Sequence, residues 1–170
     1  ADAMPVDEPA AAPAPPSPSA AATRATCALP DFEVDAMASL NAHRAAGAQC
    51  GDRGAFAAAP PLAWEATLSL ASLAHSDDMV SHNFFSHTGS DGSSAGQRAS
   101  DAGYLWSTWG ENIADGQNSV DSVVTAWMGS PGHCANIMNA GFRDIGLACV
   151  NGGAGNATRS YWTMTLGRSR

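Results

Sequence analysis

Lysine is absent from this sequence: all 8 basic residues are arginine, set against 16 acidic ones, for a formal net charge of -8. Without lysine there is no Schiff-base nucleophile, no phosphate-binding loop of the Walker type and no Ser-Lys dyad. Arginines scattered along an acidic chain form no basic stripe, so nucleic acid and anionic lipid headgroups are not expected partners. No apolar run approaches the roughly 18 residues of a membrane span. No C-x-x-C pair points to a zinc ribbon or a thioredoxin-like motif, and no repeat of solenoid length is present.

What is present bounds the answer further. A chain of 170 residues, 45% of them hydrophobic, makes one domain plus a tail at most. It can build a single core burying roughly 70% of the surface its unfolded form exposes, which excludes two-domain enzymes and large barrels. Cys27, Cys50, Cys134 and Cys149 are an even set that suits two disulfides and an oxidising compartment. The sequence starts at Ala1 rather than Met, as it would after removal of a signal peptide, so a secreted or periplasmic location is expected.

Residues 1–28 are rich in Ala, Pro and Ser and read as a disordered tether, with the folded domain over 29–170. Phe32, Met37, Leu40 and Arg44 recur at helical spacing, predicting a helix over about 31–46 that Gly47 stops, with His43 facing solvent. After a small-residue loop over 52–61, Trp64, Leu68, Ala71, His75, Met79 and His82 mark one face of a helix over about 65–82. His75 and His82 on that face are expected to pack. Ser93 or Ser94 caps a short helix ending at Gly103, and residues 106–114 read as a short strand. Ser119 caps a helix through Met128, and Ser130-Pro131 opens another, with Ser130 accepting from an orphan N–H. Residues 144–150 and 161–166 predict an antiparallel hairpin.

Glu111 is the only glutamate beyond Glu65, and His87 and His133 lie at loop or helix-start positions. Two imidazoles and a carboxylate from three separate elements make either a metal site or an acid/base cluster. A plainer alternative is a brace, in which Glu111 and His133 lock two elements together by hydrogen bonds.

The segments Asn83-Phe84-Phe85-Ser86-His87, Gly110-Glu111-Asn112-Ile113, Trp127 followed by Ser130-Pro131-Gly132-His133, Phe142 to Gly146, and Tyr161-Trp162-Thr163 occur in this order. Together they resemble the CAP superfamily (SCP or PR-1-like domains), closest to its secreted bacterial branch. The resemblance implies an α+β, three-layer α-β-α sandwich around a small central antiparallel sheet, with a cleft holding two His and two acidic residues. His87, Glu111 and His133 match three cleft positions. The fourth, acidic in many eukaryotic members, falls on Ser130, which leaves one carboxylate where a paired acid and base would need two. The implied role is non-enzymatic. His87 and His133 would bind zinc or another divalent metal, and a small extracellular ligand (lipid, glycan or peptide) or an envelope component would occupy the cleft of a monomer. The alternatives are a metal-assisted hydrolase of peptide or glycan, with Glu111 as ligand or base, and a structural interaction module.

Gly92-Ser93-Ser94-Ala95-Gly96 fits a nucleophile elbow, with Asp121 and His133 following in order. That elbow needs a buried strand before the serine, and the preceding residues are turn-rich, so the match is rejected. The five tryptophans are expected mainly in the core, with Trp109 free to wall the cleft and offer a stacking face. Four cysteines allow three connectivities. The ~24 Å length of the first helix favours Cys27–Cys149 with Cys50–Cys134 over a pairing across its ends.

Overall fold

A computed structural model of the protein describes residues 23–170. The layering follows from the last two strands, β5 (Asp144–Asn151) and β6 (Ser160–Ser169), along which successive side chains point to opposite faces. Ile145, Leu147, Cys149, Trp162, Met164 and Leu166 enter the main core on one face. Gly146, Thr163 and Thr165 lie on the other. There the Ser72 and Ser76 hydroxyls lie 2.8 Å from those of Thr165 and Thr163.

These strands pair antiparallel, and β4 (Trp106–Asp115) pairs antiparallel with the far side of β6, placing Glu111 opposite Thr165. The two-residue β3 (Ala63–Trp64) adds a parallel edge beside β5, giving the order β3-β5-β6-β4. The sheet is therefore antiparallel through its long strands and mixed at one edge. A separate ribbon pairs β1 (Ala48–Gln49), just before the predicted loop over 52–61, with β2 (Ala55–Phe56) inside it. Two-residue strands are too short to leave a periodic signal.

Helices α1 (Phe32–Ala46), α4 (Val120–Met128) and α5 (Pro131–Met138) contribute to the main core on one side. On the other side α2 (Ala66–Ser81) lies on β5 and β6, with α3 (Ala95–Asp101) beside it. The result is the expected α-β-α sandwich. Ser94 and Ser119 start α3 and α4 through capping boxes closed by Gln97 and Ser122. Ser94 thus caps a helix that follows a loop, and lacks the preceding buried strand a nucleophile elbow needs. Contact between α2 and the sheet is so close that a Cβ on Gly146 would sit 2.1 Å from the Leu68 carbonyl carbon and the Ser69 nitrogen.

The burial of Arg44 agrees with its place in the helical spacing, and several other outcomes differ from the sequence reading. Arg44 is completely buried, and its guanidinium donates to the carbonyls of Pro60, Ile137, Asn139 and Phe142 at 2.7 to 3.0 Å. His43 beside it is half-buried rather than solvent-facing. His82 does not pack: it ends α2 with an exposed side chain paired to Asp78 at 2.8 Å, whereas His75 is fully buried as expected. The boundary of the folded part also moves. Positions 1–22 of the expected tether lie outside the described residues, but Arg24 pairs with Asp77, Thr26 bridges Cys149, and Cys27 is disulfide-bonded to Cys149. The second disulfide is Cys50–Cys134, so the connectivity is the preferred one of the two that do not pair across the first helix.

Candidate functional site

Strand β4 lies at the sheet edge, and its alternation sends neighbouring residues to opposite sides. Ala114 joins the main core and Ile113 joins Met79 and Tyr161 on the α2 side. By the same alternation Asn112 faces α5 and Glu111 faces α2 and α3. The Glu111 side chain is 2% exposed, and both of its oxygens are engaged. Oε2 accepts from Arg98 of α3 at 2.7 Å, and Oε1 lies 2.8 Å from Nδ1 of His87. A carboxylate only accepts, so His87 carries its proton on Nδ1 and presents Nε2 outward on a side chain that is 59% exposed. Arg98 also donates to the backbone carbonyls of His87 and Ser93, pinning both ends of the intervening loop.

His133 sits at the third position of α5, and its Nδ1 lies 3.0 Å from the Ser130 hydroxyl. That contact corrects the expected capping role: the Ser130 side chain caps no backbone N–H, because its oxygen meets the imidazole instead. The Asn112 amide donates to the His133 carbonyl at 3.1 Å, and Asn136 donates to Asn112 Oδ1 at 2.9 Å and to the Glu111 carbonyl. This pair of amides stitches α5 to the edge strand. Among the described residues neither His87 Nε2 nor His133 Nε2 has a hydrogen-bond partner.

The two imidazoles are driven in opposite directions. The hydrogen bond to Glu111 raises His87 above its ordinary value, against burial and the Arg98 charge. Burial lowers His133, and the neighbouring His87 lowers it further. A hollow of about 390 Å³ opens beside them, lined by His87, Ser94, Trp109, Glu111 and Asn136 among others. His133 and Ser130 stand outside its lining. Trp109 is 37% exposed and walls it, while Trp127 and Trp162 are core residues.

The metal expectation meets a donor set of two. No group of three or more His, Cys, Asp or Glu among the described residues is arranged to hold a metal ion. With Glu111 held on both oxygens, the available donors are the Nε2 atoms of His87 and His133. Two imidazole donors are too few for a closed four-ligand structural centre, and an open site would need water or ligand atoms for its remaining positions. Arg98, Asn112 and Asn136 were not singled out from the sequence as site residues. Asn112 adjoins Glu111 in the motif, but Arg98 has no local signal at all.

A three-layer sandwich with a histidine–glutamate–histidine cluster at its sheet edge defines a class, and the sequence bears it out. Residues 37–166 match the CAP, or cysteine-rich secretory protein, family, and the chain belongs to it. Over 104 residues, 61% of this chain, it is 39% identical to the uncharacterized protein YkwD of Bacillus subtilis (strain 168), and the match covers 38% of that protein. The structure resembles an extracellular protein containing an SCP domain from Bacillus anthracis, with a TM-score of 0.56 and 27% identity over 65% of this chain and 35% of that one. It also shares its fold with NaASP2, crystallised with Zn2+, at a TM-score of 0.56 and 15% identity over 84% and 82% of the two chains. The chain thus spans only about a third of the length of YkwD and of the B. anthracis protein. Two disulfides, and the likeness to the extracellular B. anthracis protein, agree with an extracytoplasmic setting. No helix among the described residues is long and apolar enough to cross a membrane.

Proposed function

We propose that this CAP domain is a secreted, monomeric, non-enzymatic binding module. The Nε2 atoms of His87 and His133 hold a divalent cation, zinc by preference, and the adjoining hollow takes a small extracellular ligand or envelope component. The observation that carries the reading is the double engagement of Glu111. With one oxygen on buried Arg98 and the other on His87 Nδ1, the carboxylate orients an imidazole in the manner of an outer-shell partner to a metal ligand. The Ser130 hydroxyl, which can accept from Nδ1 of His133, engages that nitrogen and leaves Nε2 without a partner among the described residues. Bound zinc would supply Lewis acidity. The zinc in crystals of NaASP2 agrees with the reading, though that protein shares the fold alone.

Calorimetric titration of metal-stripped protein with zinc at about pH 7.5, where an unperturbed imidazole is neutral, tests it. One-to-one binding is expected, abolished in a His87→Ala/His133→Ala variant that keeps its circular dichroism. Absence of binding by the wild type would leave the cluster as a brace and the domain as a structural interaction module.

Metal-assisted hydrolysis of peptide or glycan is favoured by one observation, the hollow that gives a substrate room beside His87 and Glu111. In that reading His133 stays a holder of the metal, which would supply Lewis acidity toward the substrate. Glu111, with no free oxygen, orients His87. Turnover of a peptide or glycan oligomer, lost in His133→Ala, would support it.

A further inference from the structure

Trp109 is the common wall of two hollows, the one beside His87 and Glu111 and a second of about 430 Å³ bordered by Asp91, Ser94, Gln97, Asp101 and Trp106. That volume is within the range of small-molecule sites, roughly 300–1,000 Å³. The indole is fixed in place. Its pyrrole ring lies so close over α3 that a Cβ on Gly96 would stand 2.3 Å from Nε1, so only glycine leaves room for it there. Trp106 braces it edge-on, with ring centroids 6.5 Å apart and planes at 74°. Trp106 is itself anchored by its N–H, which donates to the Gly96 carbonyl and the Ser100 hydroxyl. A rigid, part-exposed aromatic loses little entropy on binding.

The polar groups around it are also arranged. Gln97 Oε1 accepts from the Ser94 N–H in the capping box, which leaves Nε2 as a free donor. Asp91 has one oxygen on the Ser93 N–H, and the exposed Asp101 carboxylate has no hydrogen-bond partner among the described residues. No arginine borders this groove, so phosphate, sulfate and uronate groups find no counter-charge. The rim of carboxylates, amide and hydroxyls is too polar for an acyl chain. A cation would welcome the carboxylates but cannot use the Gln97 donor, and one ring with an edge-on neighbour makes no aromatic cage. A sugar uses every part: C–H groups on the indole face, hydroxyls donating to carboxylates and accepting from Nε2.

We propose that the groove walled by Trp109, with Asp91, Gln97 and Asp101 at its rim, is a saccharide subsite. It takes a neutral pyranose, one ring stacked on the indole. This site does not depend on whether the imidazole pair holds metal. The test is titration of the intact chain with cellotetraose and with tetra-N-acetylchitotetraose, following indole N–H resonances by NMR in metal-stripped and zinc-loaded protein alike. Saturable movement of the Trp109 signal is expected for at least one sugar, with a dissociation constant of about 0.1–1 mM. Trp109→Ala should weaken binding about tenfold. Gln97→Glu, which keeps an oxygen for the Ser94 N–H and so preserves the cap but loses the donor, should weaken it without altering the fold. Trp64→Phe should leave it unchanged. No movement with either sugar at about 10 mM, equal affinity in Trp109→Ala or in Gln97→Glu, or movement of Trp109 only with an arginine-containing peptide would each overturn the proposal.

Discussion

Glu111 is placed where one charge serves two partners of unequal exposure. Arg98 is 9% exposed and depends on it for neutralisation, whereas His87 can meet solvent. Glu111→Gln keeps the shape but removes the charge. The expected cost is about 3–5 kcal/mol, the penalty for leaving a buried cation unpaired, read as a lower urea midpoint. The same variant should return the His87 pKa toward its ordinary imidazole value in an NMR titration; an unchanged His87 would show that the carboxylate does not control it. A neighbouring residue gives a pH prediction. His75 lies wholly buried in α2, with Nε2 2.7 Å from the Ser86 carbonyl, Nδ1 unpartnered and Phe84 edge-on beside it. Burial lowers its pKa and the Arg98 charge adds to this, while Glu111, Asp78 and the Ser86 hydrogen bond oppose. The unfolded chain therefore takes up this proton more readily, and the stability His75 allows is whole above about pH 6.5 and declines as pH falls through that value. His87, raised, runs the other way, so the measurement is a difference. Between about pH 7.5 and 5.5, wild type should lose more of its urea midpoint than His75→Gln, which keeps a donor for Ser86. Equal losses would remove His75 from the account.

At the scale of elements, the seat of α2 on the sheet depends on Gly146. The backbone of Leu68 and Ser69 occupies the space a side chain would need, and the Ser72–Thr165 and Ser76–Thr163 contacts form only at that separation. Gly146→Ala should lift α2, cost about 3 kcal/mol and lower Tm by roughly 6–12 °C in a thermal scan, while Gly155→Ala, with open space around it, should change Tm little. The elements themselves were largely legible because their signals are local: apolar spacing for α1, α2 and α4, and serine caps for α3 and α4. The triad of motif residues was legible for the same reason, each standing inside a short recognisable segment. What could not be read depends on distant chain. Arg44 looks like one more helix residue until Pro60, Ile137, Asn139 and Phe142 converge on it, and Arg98 until Glu111 arrives on another element. The spacing that put His82 on the apolar face of α2 ran one residue past Ser81, where the helix ends and the side chain turns to Asp78.

Across the whole molecule the two disulfides are unevenly placed. Cys50, Cys134 and Cys149 all lie in the main core on the α1, α4 and α5 side, with Cys27 packed against it. The α2 and α3 layer carries no cysteine and is seated by close packing and hydrogen bonds. The bridges span sequence separations of 122 and 84 residues, so on the chain-entropy account each contributes about 4–5 kcal/mol. Their consequences for the site should nevertheless differ. Cys134 follows His133 directly, and the Cys50–Cys134 bridge holds the helix that is joined to β4 through the His133 carbonyl and the Asn136 amide. Cys27–Cys149 instead ties the segment before α1 to β5, a strand separated from β4 by β6. Replacing either pair by alanine should therefore lower Tm substantially. Only the Cys50→Ala/Cys134→Ala protein should also lose zinc affinity by calorimetry, because α5 then no longer holds His133 at a fixed distance from His87. Equal loss of zinc affinity in both variants would mean that global loosening, and not the seat of α5, governs the imidazole pair.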